Sequence, residues 1–140
     1  MPNLVYNTFK SSVLKGAIDF ETDDISVVLV TSAYTPDVVN HVYYSDINNE
    51  VTGSGYTAGG ETLQNGTVVT DNTDDEAVYD ADNVTWSSST LTARGAIIFK
   101  DTGSASTSLL IGYFDFGADK TSSNSNFTLR WNEEGILNLG

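Results

Sequence analysis

At 140 residues without a cysteine, the chain has the length of a single domain, residues 1–140, with no disulfide, no thiolate nucleophile and no thiolate metal site. Nineteen Asp and Glu against six Lys and Arg give a formal net charge of −13, which argues against binding nucleic acid or an acidic membrane surface. Apolar residues, at 39%, are enough for a packed core; charged residues, at 18%, fall below the usual share of about a quarter, and Ser, Thr, Asn and Gly replace them, as in turn-rich β-proteins.

The charge is also segregated. Between Gly16 and Ala93 there is no Lys or Arg, yet there are fourteen Asp and Glu. Such a surface keeps copies dispersed, and it offers a docking face to a basic partner. The start, MPNLVYNTFKSSVLKGA, lacks a secretory-signal pattern, and no segment approaches the roughly 18 apolar residues of a spanning helix, so the expected product is soluble and cytosolic.

In chain order, residues 1–16 are the best helix candidate. Val5, Phe9 and Val13 recur at helical spacing, with Leu14 beside them, Asn7 or Thr8 is the expected cap, and Gly16 ends the run. The apolar stripe packs on its own domain or forms an arm laid on a neighbour; residues 17–140 make a β-rich body. Residues 21–34, ETDDISVVLVTSAY, read as a strand apolar on both faces, hence central or at an interface. Residues 37–47 favour a short helix or turn, against their β-branched and aromatic content.

Residues 52–66, TGSGYTAGGETLQNG, are a glycine-rich turn region with a flexible tip. Asn65-Gly66 predicts a hairpin joining Thr62-Leu63 to Thr67-Val69. Short strands follow at Ala77–Asp80, Val84–Ser87, Leu91–Lys100 and Ser108–Phe116. The last segment, FTLRWNEEGILNLG, reads as two strands around a turn at Asn132–Gly135, with Phe127, Leu129 and Trp131 on one face. Together these predict a mainly β fold: an antiparallel β-sandwich or small barrel with a short N-terminal helix or arm.

No catalytic, cofactor-binding or metal-binding residue is assigned. His41 is the sole histidine, without a nucleophile-elbow pattern, and reads as a half-buried residue beside Tyr43 and Tyr44. The acidic residues Asp71, Asp74, Asp75, Glu76, Asp80 and Asp82 supply oxygen ligands for calcium in principle, but Glu76 stands where the EF-hand needs glycine. A solvated turn that blunts a sheet edge is the simpler reading. The segment GSGYTAGG lacks the lysine of a phosphate loop. Among the aromatics, Trp86, Trp131, Phe99, Phe114 and Phe116 read as core, whereas Tyr43, Tyr44 and Tyr56 read as exposed contacts. Arg94 reads equally as an ion-pair partner or as the anchor of a subunit contact. The protein-contact candidates are therefore Val5, Phe9, Val13, Tyr43, Tyr44, Tyr56 and Arg94.

The runs TSAYTPD (31–37), NEVTGSGYTAGGETL (49–63), YDADNVTW (79–86), LTARGAIIFKDTG (91–103) and WNEEGILNLG (131–140) together resemble a family of small structural proteins of tailed bacteriophages and prophages. The resemblance implies a virion component made in the bacterial host cytoplasm, with no enzymatic activity and no cofactor. Within the particle it implies a capsid cement or decoration protein, often trimeric, that clamps seams between major capsid subunits. A tail or head–tail connector component is the first alternative. A carbohydrate-binding module using the acidic, tyrosine-bearing half is the second.

Overall fold

The computed structural model describes residues 1–140. It is mainly β, with two antiparallel sheets and one short N-terminal helix, consistent with the β-sandwich expectation. The elements are β1 (Leu4–Val5), α1 (Asn7–Lys15), β2 (Ile25–Val30), β3 (Glu61–Thr62), β4 (Thr67–Asp71), β5 (Glu76–Asp80), β6 (Val84–Lys100), β7 (Leu110–Leu129) and β8 (Leu137–Leu139). The large sheet runs β1-β7-β6-β2-β3, and the small one runs β4-β5-β8. No helix is long and apolar enough to cross a membrane.

The helix is shorter than its spacing predicts. Val5 is not helical; it pairs with Gly112 of β7 as part of a two-residue strand. A β-branched residue beside an open sheet edge finds its backbone partners there. The N-cap is Tyr6, in extended conformation, rather than Asn7 or Thr8. Gly16 does end the helix, at φ 66°, and its amide and that of Ala17 return to the Val13 and Ser12 carbonyls. Phe9 turns inward and meets Phe20 edge-on at 5.9 Å, so Val5 and Phe9 of the stripe pack on their own domain while Val13 and Leu14 stay exposed.

Strand β2 is buried at all six positions because both of its faces are covered. Ile25, Val27 and Leu29 face the main core, which Tyr79 and Leu137 close from the small sheet and Trp86, Leu91, Phe127 and Leu129 close from the long strands. Val28 and Val30 face a second cluster with Ile97, Phe99, Leu110 and Tyr113, capped by Tyr6 and Tyr34. The molecule therefore has three layers: a loop cap, the large sheet, and the small sheet with α1.

Four strands predicted between Val84 and Leu129 merge into two. Ser88–Thr90, read as the break between two strands, lies inside β6, where the ladder bulges on either side of Ser89 and Ser88 sits at φ 49°. Ser89 is fully buried, and its hydroxyl pairs with Ser122 at 2.8 Å and donates to the Ser125 carbonyl at 2.9 Å, so polar residues continue the strand. Asn65-Gly66 closes no hairpin. Thr62 pairs with Ser26 in the large sheet, whereas Thr67–Asp71 pairs with β5 in the small one. Asn65, at φ 56°, is the corner where the chain changes sheets, and its amide donates to Asp82 at 2.6 Å. The turn at Asn132–Gly135 forms as predicted, but its flanking strands pair elsewhere, β7 with β6 and β8 with β5.

Candidate contact surface

The segment between β2 and β3 carries three of the seven candidate residues, Tyr43, Tyr44 and Tyr56. After β2 the chain crosses over the second core cluster, and two aspartates shape it. Asp37 Oδ1 accepts from the Val39 and Asn40 amides, each at 3.0 Å, and Oδ2 accepts from the Asn40 side chain at 2.9 Å. Asp46 Oδ2 accepts from the Val42 and Tyr43 amides, each at 2.9 Å. Each carboxylate ties down a turn through charge-assisted bonds. Residues 37–47 contain turns and one 3₁₀ turn at Tyr44–Asp46, as the turn reading expects. Between the two aspartates Val39 stands 65% exposed and Tyr43 37% exposed.

Beneath this loop lies a polar chain that spacing does not show. Tyr6 is fully buried, with its hydroxyl 2.7 Å from that of Tyr34. The Tyr34 hydroxyl is 2.9 Å from His41 Nδ1, which also accepts from the Asp37 amide at 3.2 Å. His41 Nδ1 is therefore an acceptor, and the ring proton sits on Nε2. His41 is half-buried as expected, and its ring lies 5.5 Å from that of Tyr34. Burial pushes the Tyr34 hydroxyl up to about 12 and drives that of Tyr6 higher still. Both hydroxyls stay protonated as links in the chain.

Tyr44 and Tyr56 depart from the exposed-contact expectation. Tyr44 is half-buried, stacked on Phe99 at 5.0 Å, and donates to Glu50 Oε1. Tyr56 is buried in the main core beside Trp86; it donates to Glu50 Oε2 at 2.6 Å and accepts from the Leu29 amide at 3.0 Å. The Gly59 amide also donates to Glu50 Oε2, at 2.9 Å. One carboxylate thus gathers two tyrosines and the glycine-rich loop. Burial first, then the hydrogen bond to Glu50 and its charge, holds both phenols well above their ordinary value.

The other candidates scatter. Val5 and Phe9 pack on the main core, and Val13 is exposed on the helix. Arg94 Nε donates to Asp115 at 2.8 Å, the ion pair that one of its two readings expects. The pair holds the Asp115 carboxyl below its usual range, yet it is exposed enough to add little stability. Within the acidic run, Asp71, Asp74 and Glu76 bring carboxylate oxygens within 4.8 Å of one another. Asp71 Oδ1 accepts from the Thr73 and Asp74 amides and so closes the β4–β5 turn, while Glu76 takes the Asn138 amide and Asp82 that of Asn65. These carboxylates have structural work as turn and strand-end acceptors. No protein-family model, curated protein or solved structure matches this chain.

The aspartate-pinned loop responds to acid with a defined sign. Asn40 and the Val39 amide lower the Asp37 pKa, and the Tyr43 and Val42 amides lower that of Asp46. For carboxyls depressed by folding, the stabilisation is complete above the unfolded value of about 3.9 and is lost as pH falls through the lower folded value. In an NMR titration the amide protons of Val39, Asn40, Val42 and Tyr43 are expected to shift with midpoints below 3.9. Midpoints at or above that value contradict the pinning.

Proposed function

We propose that the protein is a structural component of a tailed-phage virion, a capsid cement protein whose 37–46 loop seats on a major capsid subunit. One observation carries the choice of surface: Val39 and Tyr43 stand exposed on a loop that two carboxylates hold in shape. An apolar pair presented in a fixed geometry binds without a large ordering cost, and tyrosine suits interfaces because it buries area at few rotatable bonds. Asp37 and Asp46 flank the pair, so the receiving surface is an apolar pocket with a basic rim. The family resemblance and the β-sandwich support the virion reading. The charge of −13 supports it further, because it keeps a surface clamp off packaged DNA.

Packed DNA strains the seams of a capsid. A clamp that buries about 800 Å² on its partner forms an interface of standard size, and repetition around the shell multiplies its effect. Val39→Asp, at the more exposed of the two positions, is expected to leave the melting temperature unchanged while removing the protein from purified particles. Quantitative mass spectrometry of the particles reads this directly. Retention at wild-type level sinks the loop assignment. Copy number tests the place in the particle: hundreds fit a cement protein, whereas roughly six or twelve fit a neck or tail ring. Absence from particles altogether rejects the virion reading.

A further inference from the structure

A second face is apolar for a different reason, and its rims differ in sign. On α1, Phe9 points into the core and Val13, four residues on, sits at the rim. Lys10 and Leu14 lie further round the helix, beyond Val13 and outside the groove, where Leu14 is 89% exposed and Lys10 donates to Asn7 Oδ1. Across a shallow groove stands the inner face of the small sheet. Its register places Val68, Tyr79 and Leu137 in one row and Thr70, Ala77 and Leu139 in the next. Tyr79 and Leu137 are buried, but Val68 and Leu139 at the flanks are exposed, Leu139 at 69%.

Ten of the eleven residues lining this groove are hydrophobic, so water gains little there. Its volume of about 190 Å³ is below the 300–1,000 Å³ typical of small-molecule sites, which favours side chains of another protein over a ligand. Outside the groove, the exposed side of the helix carries Lys10, one of only six basic residues, with Lys15 at the helix end. The opposite rim ends at the β4–β5 hairpin, with Asp71, Asp74, Asp75 and Glu76 beside Leu139. A uniformly basic or uniformly acidic partner satisfies one rim and is repelled by the other.

We infer that this groove is the interface of a two-fold dimer, in which each copy lays α1 across the other's β4–β5 hairpin. A two-fold axis through the groove exchanges its rims, so Lys10 of each copy meets the acidic hairpin of the other while Val13 and Leu14 meet Val68 and Leu139. The charge match operates twice per dimer, in a chain whose remaining surface repels its own copies. This inference stands independently of the virion reading.

Sedimentation equilibrium on the full chain at high micromolar concentration and low salt tests it. The expected result is twice the chain mass, with association weakening as salt rises. Leu139→Asp and Leu14→Asp, both at exposed positions, are expected to give monomers with an unchanged circular dichroism spectrum. Lys10→Glu with Lys15→Glu is expected to weaken association at least about tenfold, and adding Asp74→Lys and Asp75→Lys is expected to restore it. A monomer at all concentrations, a trimer as the resemblance implies, an unchanged mass for both Leu variants, or a charge swap that fails to restore association each overturns the two-fold interface.

Discussion

Replacing Glu50 with Ala is expected to remove about 3–4 kcal/mol of folding stability, a large fraction of the roughly 5–15 kcal/mol available to a domain. The carboxylate accepts three hydrogen bonds: from Tyr44, from Tyr56 at 2.6 Å and from the Gly59 amide at 2.9 Å. Each bond to a charged group contributes about 1.5–3 kcal/mol, but the sum is smaller because half-buried Tyr44 recovers water. Tyr56 has no such recourse. Its hydroxyl lies in the core, where it also accepts the Leu29 amide, so an unpartnered proton there carries a desolvation penalty. Urea denaturation measures the effect as a lower midpoint at constant slope. Glu50→Gln, which keeps one acceptor, is expected to fall between wild type and Ala. A double-mutant cycle with Tyr56→Phe is expected to show coupling above about 1 kcal/mol, because the two residues share one bond. A loss under about 1 kcal/mol for Glu50→Ala means the cluster is ornamental.

Glu50 also marks where the sequence stops being legible. Strand β2, the Gly16 helix stop and the Asn132–Gly135 turn are readable because neighbours within a few residues determine them. Apolar residues on both faces of β2 even announce the second core cluster. The bulge at Ser88 is not readable, because burial of Ser89 depends on Ser122 and Ser125 more than thirty residues away. Asn65-Gly66 has the composition of a hairpin, but the strands on either side find better partners in different sheets. Tyr56 sits in a segment with the composition of a flexible loop. Its hydroxyl bonds to Glu50, six residues before it, across an irregular segment in which no helix or strand repeat operates. The flanking pattern Tyr44–Glu50–Tyr56, acid centred between two phenols at equal spacing, is the only trace of the cluster that the sequence carries. Exposed Tyr43 and core Tyr56 look alike until the loop's hydrogen bonds are known.

The same loop gives the largest expected effect of a single methyl group. Gly59 and Gly60 are adjacent, both with left-handed backbone, at φ 97° and φ 67°. Alanine at either position is strained by about 1–2 kcal/mol. Only at Gly60 does the added carbon have nowhere to go. It falls 1.8 Å from the Val27 carbonyl oxygen, 2.8 Å from that carbonyl carbon and 3.0 Å from Val28 Cα, whereas at Gly59 nothing lies within 4 Å. Those atoms belong to the backbone of β2, buried on both faces, and cannot swing aside as a side-chain tip does. The β3 segment must instead lift from β2. Lifting it breaks the pairing of Val27 with Glu61 and of Ser26 with Thr62, and strains the Leu63 amide bond to Ile25 at 2.7 Å. Gly60→Ala is therefore expected to cost at least about 3 kcal/mol, strain and overpacking together, and Gly59→Ala about 1 kcal/mol. The reduction in unfolded-chain entropy is common to both variants, so their difference isolates the clash. Equal urea midpoints for the two would mean that β3 is not held against β2, and the packed loop around Glu50 would lose its floor.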